Sequence, residues 1–209
     1  MLAAAAVLMA VFGGIYFSRK ESGSRKPLVF KAAATCMPVL LTLYHAWGTK
    51  EAASWWLFAG LLCYMAADVL LEIWFLSGVA AFGIGHICVV MSLAGSGAAS
   101  GYVTAVFLIL YAGMFLVVRK YVKDLGNLFL PGAVYAALLC LMAAKAVSMG
   151  INSRELPSVL AGTGGVCFVI SDTILGWSYL SGKQNRSYRA VLLLLYYTAV
   201  YLLAAGRYL

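Results

Sequence analysis

Charge is scarce in this sequence. Only 11% of its 209 residues are charged and seven are acidic, while 64% are apolar and the mean hydropathy is +0.95. That composition excludes an ordinary soluble domain. Histidine is scarcer still: His45 and His86 are the only two, and they are predicted at different depths, which disfavours a zinc-dependent hydrolase. None of the five cysteines (Cys36, Cys63, Cys88, Cys140, Cys167) forms a CxxC pair or a metal-type spacing. All lie in apolar runs and read as small buried side chains, not disulfides. The glycines Gly162, Gly164 and Gly165 come without a GxxxxGK[ST] or GxGxxG pattern, so they indicate close helix packing, not a phosphate cradle. The net charge of +8 suggests nucleic acid at first, but its basic residues sit in short loops beside apolar segments, where they set topology and touch anionic headgroups. No nucleic-acid partner is expected.

What the sequence has is long apolar runs. Spans of about 20 residues predict an all-α polytopic membrane protein with eight transmembrane helices. Their approximate limits are 1–18, 29–47, 53–74, 75–94, 101–118, 127–149, 156–180 and 187–206, with no linker or soluble domain left over. The first run is not a typical cleaved signal, because Arg19 and Lys20 follow it and nothing basic precedes it. Loops one, three, five and seven carry ten basic residues: Arg19, Lys20, Arg25 and Lys26, then none, then Arg119, Lys120 and Lys123, then Lys183, Arg186 and Arg189. The opposite side holds Lys50, Arg154 and Arg207, so the positive-inside rule puts both termini outside. His45 and Lys145 fall at outer helix ends, and Trp55, Trp56 and Trp74 fit an aromatic belt.

Against this background the intramembrane acids stand out. Residues 64–78, YMAADVLLEIWFLSG, place Asp68 inside a spanning run, and residues 168–182, FVISDTILGWSYLSG, do the same for Asp172 at an offset of 104. A carboxylate at mid-helix costs about 2.5–3.5 kcal/mol on insertion scales, so two at matched positions imply a use. At the same offset PLVFKAAATC (27–36) falls on PGAVYAALLC (131–140), which sets Lys31 on Tyr135. The offset spans four helices, so a parallel four-plus-four repeat, with an axis along the membrane normal, is a possible reading; chance similarity between Ala- and Leu-rich segments is the other. At 1.5 Å per residue Asp68 lies about 9 Å and Asp172 about 12 Å from the cytoplasmic ends of their helices. Glu72, one turn beyond Asp68, and Lys31 lie nearer that surface, and His86 lies near the midplane. Tyr111, Tyr135, Tyr196 and Tyr197 reach the same zone. Glu72 and Lys31 read equally well as interfacial anchors, and the aspartates and His86 as hydrogen-bonding posts between helices.

ADVLLE, then GIGHI, FVISDTIL and finally LLYYTAVYLLAAG together resemble the YhhN-type lysoplasmalogenases, through essentially the whole chain. That family has eight helices in about this length, with Lys-Pro-Leu near helix two, Gly-Asp-x-x-Leu in three, Gly-His in four, Ser-Asp in seven and a Tyr-rich helix eight. Ala67 replaces the glycine before the first aspartate, and Val200 stands where glutamine is common. The helix-two lysine is either Lys26, which keeps Pro27 and Leu28, or Lys31, which keeps the depth; the alignment with Tyr135 favours Lys31. The resemblance implies hydrolysis of the vinyl ether of a lysoplasmalogen to a fatty aldehyde and glycerophosphoethanolamine or glycerophosphocholine. That chemistry needs an acid to protonate the outer alkene carbon and an anion to stabilise the oxocarbenium ion and activate water. Two carboxyl groups in a low-dielectric pocket can divide these roles. Asp68 and Asp172 are the expected dyad, His86 a water-positioning or proton-shuttling group, Lys31 a partner of the substrate phosphate and Glu72 of a headgroup amine. The four tyrosines complete the expected substrate site. The expected partner is the lysophospholipid in the bilayer, with no cofactor and no metal, and the oligomeric state is left open. By analogy the expected location is a bacterial cytoplasmic membrane, or the endoplasmic reticulum in a eukaryote.

Two other classes compete. A small proton- or cation-coupled transporter also uses intramembrane acids in repeated halves, but its matched helix breaks are not clear, since Pro38 falls on Met142. An intramembrane aspartyl protease uses two aspartates, yet its Tyr-Asp and Gly-x-Gly-Asp patterns are missing, since Asp68 follows Ala67 and Asp172 follows Ser171.

Overall fold

Apolar segments that enter a bilayer must satisfy their backbone polar groups internally, and a helix does so within one segment. The chain follows that rule. A computed structural model describes residues 1–20, 26–95, 99–183 and 185–209, with Lys123 and Asp124 followed through the backbone alone. Arg25, counted above in the first loop, lies outside the described residues, as does the side chain of Lys123. The helices are α1 (Leu2–Arg19), α2 (Leu28–Thr49), α3 (Ala52–Ile73), α4 (Phe75–Ser92), α5 (Ser100–Val118), α6 (Phe129–Ser153), α7 (Leu156–Ser181) and α8 (Arg186–Tyr208). All eight are long and apolar enough to cross a membrane, and no strand occurs among the described residues. The stretch after α5, expected as a loop, forms two short 3-10 turns, Arg119–Asp124 and Gly126–Leu128. All five cysteines are free thiols.

The helices sort into two compact units, Met1–Ala94 with Ala204–Leu209, and Gly95–Leu203. In the first, α3 packs against α2 and α4, and α1 against α2. In the second, α6 packs on α7, and α5 on both. α5 is the most apolar span and buries none of its residues, the arrangement of a helix that meets lipid tails. The glycine run in α7 works as its spacing implies. A Cβ on Gly162 or Gly165 would come within 3.2 or 3.0 Å of α6 backbone atoms, and one on Gly164 within 2.9 Å of the Ala199 carbonyl oxygen on α8.

Two connections position the polar residues. The α2–α3 and α6–α7 corners are built alike, 104 residues apart. Lys50 (φ 57°) and Arg154 (φ 54°) end their helices in the left-handed region, and the extended Glu51 and Glu155 begin the next. The amides of Glu51 and Glu155 point at Thr49 Oγ1 (3.5 Å) and Ser153 Oγ (3.4 Å) respectively. The α3–α4 connection is tighter, because Trp74 alone joins the helices in an extended conformation (φ −140°, ψ 99°). Two helices turned back by one residue must touch at once, and a Cβ on Gly78 would lie 2.5 Å from the Leu71 amide nitrogen. Gly78→Ala therefore forces the backbones apart and is expected to cost about 1–3 kcal/mol or more. Gly176→Ala in α7 meets nothing within 4 Å and should be neutral or slightly stabilising. Thermal midpoints of the purified variants beside wild type check both.

Candidate active site

α2 begins at Leu28 and α3 ends at Ile73, so the first turns of one lie beside the last turns of the other. Lys31 from α2 and Asp68 and Glu72 from α3 meet there. Lys31 Nζ lies 3.6 Å from Asp68 Oδ1 and 3.6 Å from Glu72 Oε1, an ion-pair separation longer than a direct hydrogen bond. Lys31 and Asp68 are both buried. A buried charge is tolerated only when it is compensated, and here each compensates the other. One turn along α2, the Thr35 hydroxyl donates to Asp68 Oδ2, so α2 engages both carboxylate oxygens. α1 closes the group from a third side. Its buried Tyr16 donates to Glu72 Oε1 at 2.8 Å, and Lys20 bonds the same oxygen at 2.6 Å. The Tyr16 ring lies 5.5 Å from the Lys20 ammonium and 5.6 Å from that of Lys31, within cation–π range of both. Exposure grades along the group: Asp68 and Lys31 show 1% and 8% of their side chains, Glu72 and Lys20 27% and 31%.

One turn on the other side of Asp68 stands Tyr64. Its hydroxyl lies 2.7 Å from His86 Nδ1 on α4, and both residues are fully buried. Gly85 makes room for that ring, since a Cβ there would lie 2.5 Å from Tyr64 Cε1. Tyr64, Asp68 and Glu72 thus form one polar stripe along α3, met in turn by α4, α2 and α1. His86 is held in the core by a tyrosine.

In the second unit the Tyr135 hydroxyl of α6 donates to Asp172 Oδ2 of α7, and Asp172 is buried. The neighbouring Ser171 hydroxyl donates to the Leu192 carbonyl of α8 at 3.1 Å. Tyr196 is buried edge-on against Phe168 (5.5 Å between ring centres) and lies 5.4 Å from the Tyr197 ring. Tyr111 stacks on Phe107 of its own helix at 5.7 Å.

Of the residues singled out from sequence, the first unit brings Lys31, Asp68 and Glu72 into one group, with His86 joined to the same face of α3 through Tyr64. The second brings Tyr135 to Asp172. Tyr16, Lys20, Thr35 and Tyr64 were not foreseen as members. Thr35 and Tyr64 carried a usable signal, each sitting one helical turn from Lys31 or Asp68. Among the described residues no cluster of three or more metal-ligating side chains occurs.

Eight helices long and apolar enough to cross a membrane, with ionisable groups buried within each unit, define an integral membrane protein. Residues 28–207 match the model of the YhhN family, and the chain belongs to that family. Lys31 lies within the matched stretch and Lys26 before it. No curated protein sequence and no solved structure gives a match.

The two lysines on Glu72 differ in burial, which separates their expected effects. Lys20→Met removes a part-exposed ion pair and should change stability by no more than about 1 kcal/mol. Lys31→Met strands a buried carboxylate and should cost about 3–5 kcal/mol, read in the same thermal or denaturant titration.

Proposed function

We propose that this protein is a lysoplasmalogenase, an ether hydrolase that cleaves the vinyl ether of lysoplasmalogens. The observation that carries the reading is that the family match takes in both aspartates buried in apolar helices. Hydrolysis begins when a carboxylic acid protonates the outer alkene carbon, leaving an oxocarbenium ion next to the ether oxygen. A carboxylate stabilises that cation and takes a proton from water as the water oxygen bonds to the cationic carbon. The resulting hemiacetal loses its hydroxyl proton to a base, the carbon–oxygen bond to glycerol breaks, and the alkoxide is protonated, giving a fatty aldehyde and glycerophosphoethanolamine or glycerophosphocholine. Asp68 and Asp172 are the groups assigned to this acid–base work. His86, tied to Tyr64, is assigned to keep the polar face of α3 in place and to move protons along it. Glu72 offers its second oxygen, Oε2, to a headgroup ammonium, since the three contacts of this carboxylate all fall on Oε1. Tyr196 and Tyr197 are proposed to line the lipid's path in the second unit, where the Tyr135 hydroxyl is taken by Asp172. The basic residues of loops one, five and seven support an orientation with both termini outside.

The test is release of fatty aldehyde from a lysoplasmalogen by purified protein, beside a saturated ether lysolipid. Aldehyde should come from the vinyl ether alone, and Asp68→Asn and Asp172→Asn should each lower turnover about 10²–10⁴-fold in folded protein. Wild-type turnover in both variants would remove the aspartates from the chemistry. A folded wild type that releases no aldehyde across several headgroups and chain lengths would overturn the activity itself.

A further inference from the structure

Residues 31 and 135 occupy equivalent places. Each lies 37 positions before a buried aspartate, on the helix preceding it, across the matching corners at Lys50–Glu51 and Arg154–Glu155. Each contacts that aspartate, Lys31 through an ion pair with Asp68 and Tyr135 through a hydroxyl donated to Asp172. The same frame thus holds two carboxylates by different chemistry, charge in one case and a hydrogen bond in the other.

We infer that Lys31 and Tyr135 are positioning residues, Lys31 holding Asp68 as the anion of the reaction and Tyr135 orienting Asp172, and that neither binds the substrate. This rests on the lysoplasmalogenase reading above. The charge balance around Lys31 is the first argument. Among the described residues, the charged groups that pair with Asp68 and its neighbour Glu72 include Lys31 from α2 and Lys20 from α1, with the phenol of Tyr16 on Glu72 and the Tyr64–His86 pair one turn away on α3 and α4. Lys31 is already shared between the Asp68 and Glu72 carboxylates, so a phosphate would have to compete with both for its charge. A phosphate ester that took Lys31 would leave Asp68 buried and uncompensated.

Geometry is the second argument. Lys31 and Thr35 lie one turn apart on α2 and take opposite oxygens of Asp68, Oδ1 and Oδ2. The Thr35 hydrogen bond and the Lys31 charge thus act on different oxygens and restrain the carboxylate's orientation, as suits a group that must meet a cation. An anionic Asp68 suits the oxocarbenium-stabilising, water-activating role, and the proton-donor role then falls to Asp172.

Steady-state aldehyde release and infrared spectroscopy on the full chain in lipid nanodiscs test the assignment. In Lys31→Met and Tyr135→Phe, kcat should fall about 100-fold with KM changed by less than about threefold, and Lys31→Arg should recover most of the lost rate. A rise in KM of about tenfold or more with kcat retained would make these residues substrate ligands and overturn the assignment. The second readout needs no turnover. Lys31→Met should gain the C=O stretch of a protonated carboxyl at neutral pH, and the band should be missing from the Lys31→Met/Asp68→Asn double variant. A folded Lys31→Met without that band would show that Lys31 does not hold the charge of Asp68. If Lys31→Met does not fold, the double variant, which removes both charges, should fold, and a double variant that fails equally overturns the pairing. A wild type that gives no aldehyde sinks the activity alone, because the infrared result still decides the pairing.

Discussion

The pairing of Lys31 with Asp68 constrains how the first unit packs. Two opposite charges, each buried among apolar side chains, are tolerable only at close range, and the 3.6 Å separation fixes how the first turns of α2 lie against the last turns of α3. The rest of the group follows. Glu72 comes one turn later on α3, near enough to share Lys31 and exposed enough to need a second partner, which α1 supplies as Tyr16 and Lys20. Three helices are thereby tied at one end by a few polar atoms, in a solvent that offers no general drive for apolar helices to associate. Glycines do the complementary work where contact is steric, Gly78 under the turn and Gly85 under the Tyr64 ring.

The hairpins α2–α3 and α6–α7 share a corner and a carboxylate and differ in what reaches that carboxylate. A lysine brings a full charge, while a tyrosine brings a neutral donor at the same site. Two acids in identical surroundings would behave alike toward protons, and a lysine beside one with a tyrosine beside the other breaks that equivalence. One substitution at a matched position is enough to do so.

Much of this could be read from residues because charge is so unusual here. Asp68, Glu72 and Lys31 interrupt runs that otherwise carry none, and their cost alone marks them. Thr35 escaped because a threonine hydroxyl in an apolar helix can bond its own backbone at little expense, so its spacing of one turn from Lys31 was the signal it carried. Tyr111 is the harder case: in a chain with thirteen tyrosines, membership of a helical zone is weak evidence, and this one stacks on Phe107 of its own helix. The helices themselves followed from run length. The 3-10 turns after α5 did not, because their basic and polar residues read simply as a loop.

The single-residue turn at Trp74 bears on how such a chain enters a membrane at all. α3 carries two acids, each unfavourable by about 2.5–3.5 kcal/mol at mid-helix, though Glu72 sits nearer the end. α4, by contrast, contains no Asp, Glu, Lys or Arg. With one residue between them there is no loop to hold one helix in the bilayer while the other waits outside it. α3 and α4 must insert together as a hairpin, with the apolar α4 offsetting the acids of α3. The catalytic carboxylate proposed here is therefore delivered to its depth by the helix that follows it.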